Sequence, residues 1–245
     1  MTSNAPVAVR SRRPSILALA LVLTLGWYRV GSTIGGERPD TQLWNEAKVI
    51  IRLDDRFDLV VGGALRLGDD LSQLVRTSGL AAVNVRVTDF FSITPTYQYT
   101  VDDPVMGGRT VENRLGLVPT VSAPLGNAKL ALSNGLEFRS FDNKPNSRRW
   151  RPKLRLSHPV GSRGMALTGY AAGELFYDFH TDIWTRSRLF AGLEKRLSDN
   201  FAIDLYYCRQ IELKAGNQDL NIIGISMRFD LDARTRRVEV ELETE

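Results

Sequence analysis

Arg148-Arg149-Trp150-Arg151-Pro152-Lys153-Leu154-Arg155-Leu156 decides the fold class. Arg149, Arg151, Lys153 and Arg155 stand at every second position, and Trp150, Leu154 and Leu156 alternate with them. Successive residues of a strand point to opposite faces, so this stretch reads as a strand with one cationic and one apolar face.

The scheme repeats along the chain. Strands are expected over Thr41–Leu53, Phe57–Gly68, Leu74–Val87, Phe91–Val101, Arg109–Val121 and Lys129–Phe141. Five more are expected over Arg148–Val160, Met165–His180, Trp184–Leu197, Phe201–Leu213 and Leu220–Leu231. No amphipathic helix of ordinary length is evident after residue 40, and strands this dense argue for an all-β meander. Links such as Asp54-Asp55-Arg56 and Ser198-Asp199-Asn200 are tight, whereas Asp102–Gly108 and Lys214–Asp219 are longer. One rim of short turns and one of longer loops suits an outer-membrane barrel.

The faces sort consistently. Leu59, Val61, Leu65, Tyr97, Leu132, Leu136 and Leu193 share one. Glu46, Lys48, Arg66, Glu112, Arg114, Glu137, Arg139, Glu174, Asp178, Arg186 and Arg188 share the other. Alternation alone does not say which face is inside. A soluble barrel would bury the apolar face, whereas a membrane barrel would turn it to lipid and line its lumen with charge.

Three features favour the membrane arrangement. First, Arg10, Arg12 and Arg13 precede an apolar run, Ile16 to Leu25, which reads as a secretory signal and is shorter than a spanning helix. Second, the strands run about 12 residues, against roughly 9–11 for a tilted crossing. Third, aromatics gather toward strand ends: Phe57, Phe90, Phe91, Phe201 and Phe229 at one, and Trp44, Phe141, Trp150, Tyr177, Phe179 and Trp184 at the other. Two such belts resemble membrane-interface girdles.

The expected fold is a single up-and-down antiparallel transmembrane β-barrel of 10–12 strands. Twelve is preferred, because bacterial single-chain barrels use even numbers. The expected layout is a signal segment at 1–32, a linker at 33–40, a barrel at 41–231, and a charged tail or extra strand at 232–245. Cleavage near Ser32 removes Arg10, Arg12, Arg13 and Arg29 and no acid, taking the formal charge of +4 to about zero. The pI near 9.3 therefore does not point to nucleic acid. Cys208 has no cysteine partner for a disulfide or a thiolate metal site.

Several motifs carry a family resemblance. They are Asp40-Thr41-Gln42-Leu43-Trp44-Asn45, Arg66-Leu67-Gly68-Asp69, Arg151-Pro152-Lys153-Leu154-Arg155-Leu156 and Glu174-Leu175-Phe176-Tyr177-Asp178-Phe179 with Trp184-Thr185-Arg186. Asp199-Asn200-Phe201 and Asn221-Ile222-Ile223-Gly224 complete the set. From Asp40 to Leu231 the chain resembles a family of uncharacterised bacterial outer-membrane β-barrels, a domain of unknown function. The resemblance implies location in the bacterial outer membrane and a barrel shape. It supplies no catalytic residues. Gly224, Met227 and Phe229 also look like a barrel-assembly signal, which makes the assembly machinery and outer-membrane lipid the expected partners.

Motif chemistry is sparse. His158 and His180 fall on different strands without metal-ligand spacing, and no phosphate loop, dinucleotide fingerprint or Gly-x-Ser-x-Gly is present. No cofactor and no enzymatic activity are expected. The one candidate for rim catalysis on lipid or glycan is His180 with Asp178, Asp182 or Ser187.

The main constellation is the candidate lumen network of Arg149, Arg151, Lys153, Arg155, Glu137, Arg139, Glu174, Asp178, Arg186 and Arg188. Charges in a narrow lumen must pair or stay wet. Paired, they crosslink the barrel; wet, they guide anions through a narrow channel. The small size of a 10–12-strand barrel favours the filled, structural lumen. A secreted soluble β-barrel binding an apolar ligand is the third reading.

Overall fold

The computed structural model describes residues 38–104, 107–161, 167–214 and 218–233. The signal segment and most of the linker expected from the sequence lie outside the described residues, as does the tail from residue 234.

Among the described residues eleven strands form one closed barrel in chain order. They are β1 (Asp40–Arg52), β2 (Phe57–Gly68), β3 (Gln73–Arg86), β4 (Phe91–Asp102), β5 (Thr110–Leu125) and β6 (Ala128–Phe141). Then come β7 (Ser147–Val160), β8 (Leu167–Asp178), β9 (Ile183–Ser198), β10 (Phe201–Glu212) and β11 (Leu220–Asp232). The sequence segments correspond to these strands one for one, with boundaries differing by a few residues.

Consecutive strands pair antiparallel, but the ring is closed by a parallel pair, β1 with β11, running from Asp40↔Leu220 to Arg52↔Asp232. The parallel seam follows from the odd number, since every strand reverses direction and the first and eleventh run the same way. An even count, inferred from the habit of bacterial barrels, would have closed antiparallel. No twelfth strand occurs among the described residues.

Closing a sheet requires stagger between strands. Partners show it: Glu46 pairs Ala64, then Ser78, Thr100, Glu112 and Phe141. That walk begins mid-way along β1 and ends at the last residue of β6. One rim is where β1 meets β2, β3 meets β4, β5 meets β6, β7 meets β8 and β9 meets β10; the other is where β2 meets β3, β4 meets β5, β6 meets β7, β8 meets β9 and β10 meets β11. We call them the turn rim and the loop rim.

The faces resolve in one sense. Leu65, Leu132 and Leu193 are 47%, 43% and 50% exposed on the outer wall, whereas Glu112 is 0% and Glu174 3% exposed on the inner one. Among the described residues the inner wall is therefore rich in charge, unlike the dry apolar interior that an apolar-ligand carrier requires. Apolar outer residues continue around the ring with Val61, Leu115, Leu154, Leu205 and Ile223.

Outer aromatics cluster at both rims. Trp150 and Trp184 are 5.6 Å apart, and Tyr177 meets Trp184 and Phe179 at 5.2 Å each. At the turn rim Phe201 stacks on Phe229 at 4.7 Å. Trp44 departs from the expected belt. It is buried inside with Cys208 and Ile222, because it shares the parity of Glu46 and Lys48 rather than that of Leu43. Phe141 also stands apart, under the cations of Arg139 and Lys144.

Candidate functional site

The inner wall of β5 to β10 carries a continuous ionic chain. The links join residues of like parity, on neighbouring strands or two apart on one strand, that stand within side-chain reach. Glu112 accepts from Arg114 Nε at 2.8 Å and from Arg139 Nε and Nη2 at 2.7 and 3.0 Å. Glu137 accepts from Arg149 Nε at 2.7 Å and Arg151 Nη1 at 2.6 Å, with Arg114 at 3.8 Å. Glu174 accepts from Arg151 Nη2 and Nε at 2.6 and 3.1 Å, with Arg188 Nη1 at 3.5 Å. Arg188 Nε donates to Gln210 Oε1 at 2.7 Å, and Gln210 Nε2 donates to Glu212, which also takes Arg186.

Arginine is suited to this task. Its planar fork lets Arg151 bind two carboxylates on different strands at once. The Phe176 ring, 2% exposed, lies beneath four guanidinium groups: Arg188 at 4.7 Å, Arg149 at 5.1 Å, Arg151 at 5.2 Å and Arg186 at 5.7 Å.

Nearer the turn rim the pairs are separate. Asp58 takes Arg86 at 2.5 Å, Glu194 takes Arg228 at 3.0 Å and Arg155 at 3.8 Å, and Tyr170 donates to Asp204 at 2.8 Å.

The seam side is built differently. Along one hydrogen-bonded row, Tyr170 faces Gly192, then Tyr206, Gly224, Trp44 and Arg66. Rings alternate with glycines because each ring needs the space a side chain would fill. A Cβ on Gly192 would meet the Tyr170 ring at 2.6 Å, and one on Gly224 would fall within the Tyr206 ring. Trp44 Nε1 donates to Gln42 at 2.9 Å, and Gln42 Nε2 donates to Asp40 at 2.8 Å. Above the Trp44 ring stand Arg66 at 3.7 Å and Arg188 at 4.8 Å.

The candidate residues thus divide. Glu137, Arg139, Arg149, Arg151, Glu174, Arg186 and Arg188 meet in the chain. Arg155 pairs lower down with Glu194 and lies over Tyr170 at 3.6 Å. Lys153 makes no ion pair among the described residues and sits over Phe190 at 4.5 Å. Asp178 leaves the network: its Oδ1 accepts from the backbone amides of His180 and Thr181 and closes the β8–β9 link.

That bond also separates the rim-catalysis candidates, because Asp178 holds the turn rather than the imidazole. Asp182 takes the Tyr177 hydroxyl, and Ser187 lies buried within β9 opposite Leu175 and Ile211. His180 lines an open outer groove with Leu115, Phe138 and Arg148. Glu112, Arg114, Gln210 and the Trp44–Arg66 stack belong to the lining but not to the sequence-derived set. Parity alone signals Glu112, Arg114 and Trp44; nothing local signals which acid each arginine meets.

No group of three His, Cys, Asp or Glu side chains is placed to hold a metal ion among the described residues.

The family model described as protein of unknown function DUF2490 matches residues 41–221. The chain belongs to that family. The match spans the barrel from the second residue of β1 into β11. No curated protein sequence matches the chain.

Proposed function

We propose that this DUF2490 chain is an exported bacterial outer-membrane β-barrel whose lumen is crosslinked by charge, a structural barrel rather than an open pore. The observation that carries the reading is the inverted polarity of the wall. Leucines stand half exposed outside while Glu112, Glu137 and Glu174 are buried inside. In water each half-exposed outward leucine would forgo about half of the roughly 1.5–3 kcal/mol that full burial brings; hydrocarbon supplies it. Strands of 12–16 residues exceed the roughly 9–11 needed for a tilted crossing. A closed ring also leaves no unpaired edge, as a spanning sheet requires.

The shared carboxylates support the filled-lumen reading. Side chains that tie β5 through β10 across the interior occupy the space that ions would use. Barrels that conduct freely have more strands, about 16–18.

Fractionation tests the location. The full chain is expected in the detergent-extracted outer membrane, with a gel mobility that changes on boiling. Recovery in the soluble periplasm with no heat-dependent shift would overturn it. Planar-bilayer recording tests the lumen: no large steady conductance is expected, and porin-sized steps would exclude the crosslinked reading.

A further inference from the structure

The lining does not balance its charge locally, and the imbalance has a location. Glu112, Glu137 and Glu174 are each engaged by two or more arginines. Arg66 and Lys153 touch no carboxylate among the described residues, yet both belong to the inner wall and stand over aromatic rings, Trp44 at 3.7 Å and Phe190 at 4.5 Å. Arg188 is under-compensated: it gives Nε to the neutral Gln210 and reaches Glu174 only at 3.5 Å.

These three cations are neighbours. Lys153, Glu174, Arg188 and Gln210 follow one another across β7, β8, β9 and β10 on one row. Arg188 and Arg66 share the Trp44 ring. Phe190, beneath Lys153, lies 5.9 Å from Tyr206, the ring that covers Gly224 at the seam.

We propose that Arg66, Lys153 and Arg188 form an anion site in the lumen, walled by Trp44 and Phe190, that takes a small oxyanion such as a phosphate or carboxylate. Ring faces offset part of the cost of a desolvated cation but do not neutralise it. An oxyanion does, and two guanidinium forks with one ammonium match its several acceptor oxygens. Arg66 and Lys153 are partly buried residues of the inner wall. Of the neighbouring carboxylates, Glu174 stands between Lys153 and Arg188 on the row but is held by Arg151 at 2.6 Å, and Glu46 faces Lys48 at 3.7 Å. The site rests on the charged lining and not on the membrane location, so failure of one leaves the other standing.

The test uses the full chain folded in detergent, with inorganic phosphate as probe and chloride matched in ionic strength. Phosphate is expected to raise the thermal midpoint saturably. Arg66→Gln and Lys153→Gln each should weaken half-saturation at least tenfold. Arg155→Gln, which removes a cation from the next inward position of β7, should leave it within twofold. No phosphate-specific shift, or equal loss in all three variants, overturns the site.

A second measurement needs no lumen variant. With Trp27, Trp150 and Trp184 changed to Phe, Trp44 emission reports the site. A change in Trp44 emission that saturates with phosphate supports it, and emission indifferent to phosphate overturns it. A shift that appears only at molar phosphate marks an adventitious ion only and counts against the proposal.

Discussion

The two sides of the lumen are held together by different physics. From β5 to β10 the lining is a relay of arginines and carboxylates in which Glu112, Glu137 and Glu174 are each shared by more than one arginine. Across the parallel seam, from β10 through β11 to β2, rings lie on glycines and cations lie on rings. The first arrangement tolerates small shifts of position, since long flexible side chains can follow, but fails when a charge is removed. The second tolerates loss of charge but not of space. A parallel pair is also slightly less stable per residue than an antiparallel one, so the seam depends more on packing than the other joints do.

The largest expected effect comes from removing a shared acid. Glu137→Gln leaves Arg149 and Arg151 facing a neutral amide; their side chains are 9% and 30% exposed. Breaking a buried ion pair from one side costs about 3–5 kcal/mol. Urea unfolding of the detergent-folded barrel should show a loss in that range. Replacing Glu137 with Leu and Arg149 with Met together should recover only part of it, because Arg149 is no longer stranded while Arg151 keeps just Glu174. If the single substitution costs less than about 1 kcal/mol, the relay is wet and contributes little.

The next effect breaks the seam by space. Gly224→Ala places a methyl group where the Tyr206 ring lies and should destabilise by about 1–3 kcal/mol. Gly79→Ala, on the outer wall of β3 with nothing within 4 Å, should stay within about 0.5 kcal/mol. Adding Tyr206→Ala to Gly224→Ala should cost less than the sum of the two, with coupling of about 0.5–3 kcal/mol. Strict additivity would show that the ring does not lock the seam.

The same contrast explains what was legible in the sequence. The relay's residues announce themselves, since a period of two with charge on one face is visible in Arg149, Arg151, Lys153 and Arg155. Strand boundaries followed for the same reason. The seam's residues do not. Gly192 and Gly224 look like any strand glycine until the stagger sets Tyr170 and Tyr206 beside them, and stagger is a property of the closed ring. Trp44 was read by its place along the strand when its parity with Glu46 carried the information. The parallel closure was hidden because eleven segments were legible while evenness was assumed. Asp178 was misplaced because its carboxylate closes a turn two residues on, a local bond that competes with the lumen.

The smallest effect belongs to the turn rim, where neither arrangement operates. Asp54 closes the β1–β2 link by accepting at Oδ1 from the amides of Arg56 at 2.6 Å and Phe57 at 2.8 Å. Those two amides, Arg56 first, hold its carboxyl below the usual 3.8. A carboxylate with a depressed folded pKa stabilises above its unfolded value, and that stabilisation is lost as pH falls through the folded one. Asp54→Ala should therefore cost a small, constant amount from neutral pH down to about 4, and the difference from the parent should close below that. The side chain is fully exposed, so the effect should be far smaller than at Glu137 or Gly224. Paired melting curves across that range measure it. A difference that widened in acid would mean that the protonated carboxyl stabilises the turn more than the carboxylate does, and would overturn the account of this link as a carboxylate held by two amides.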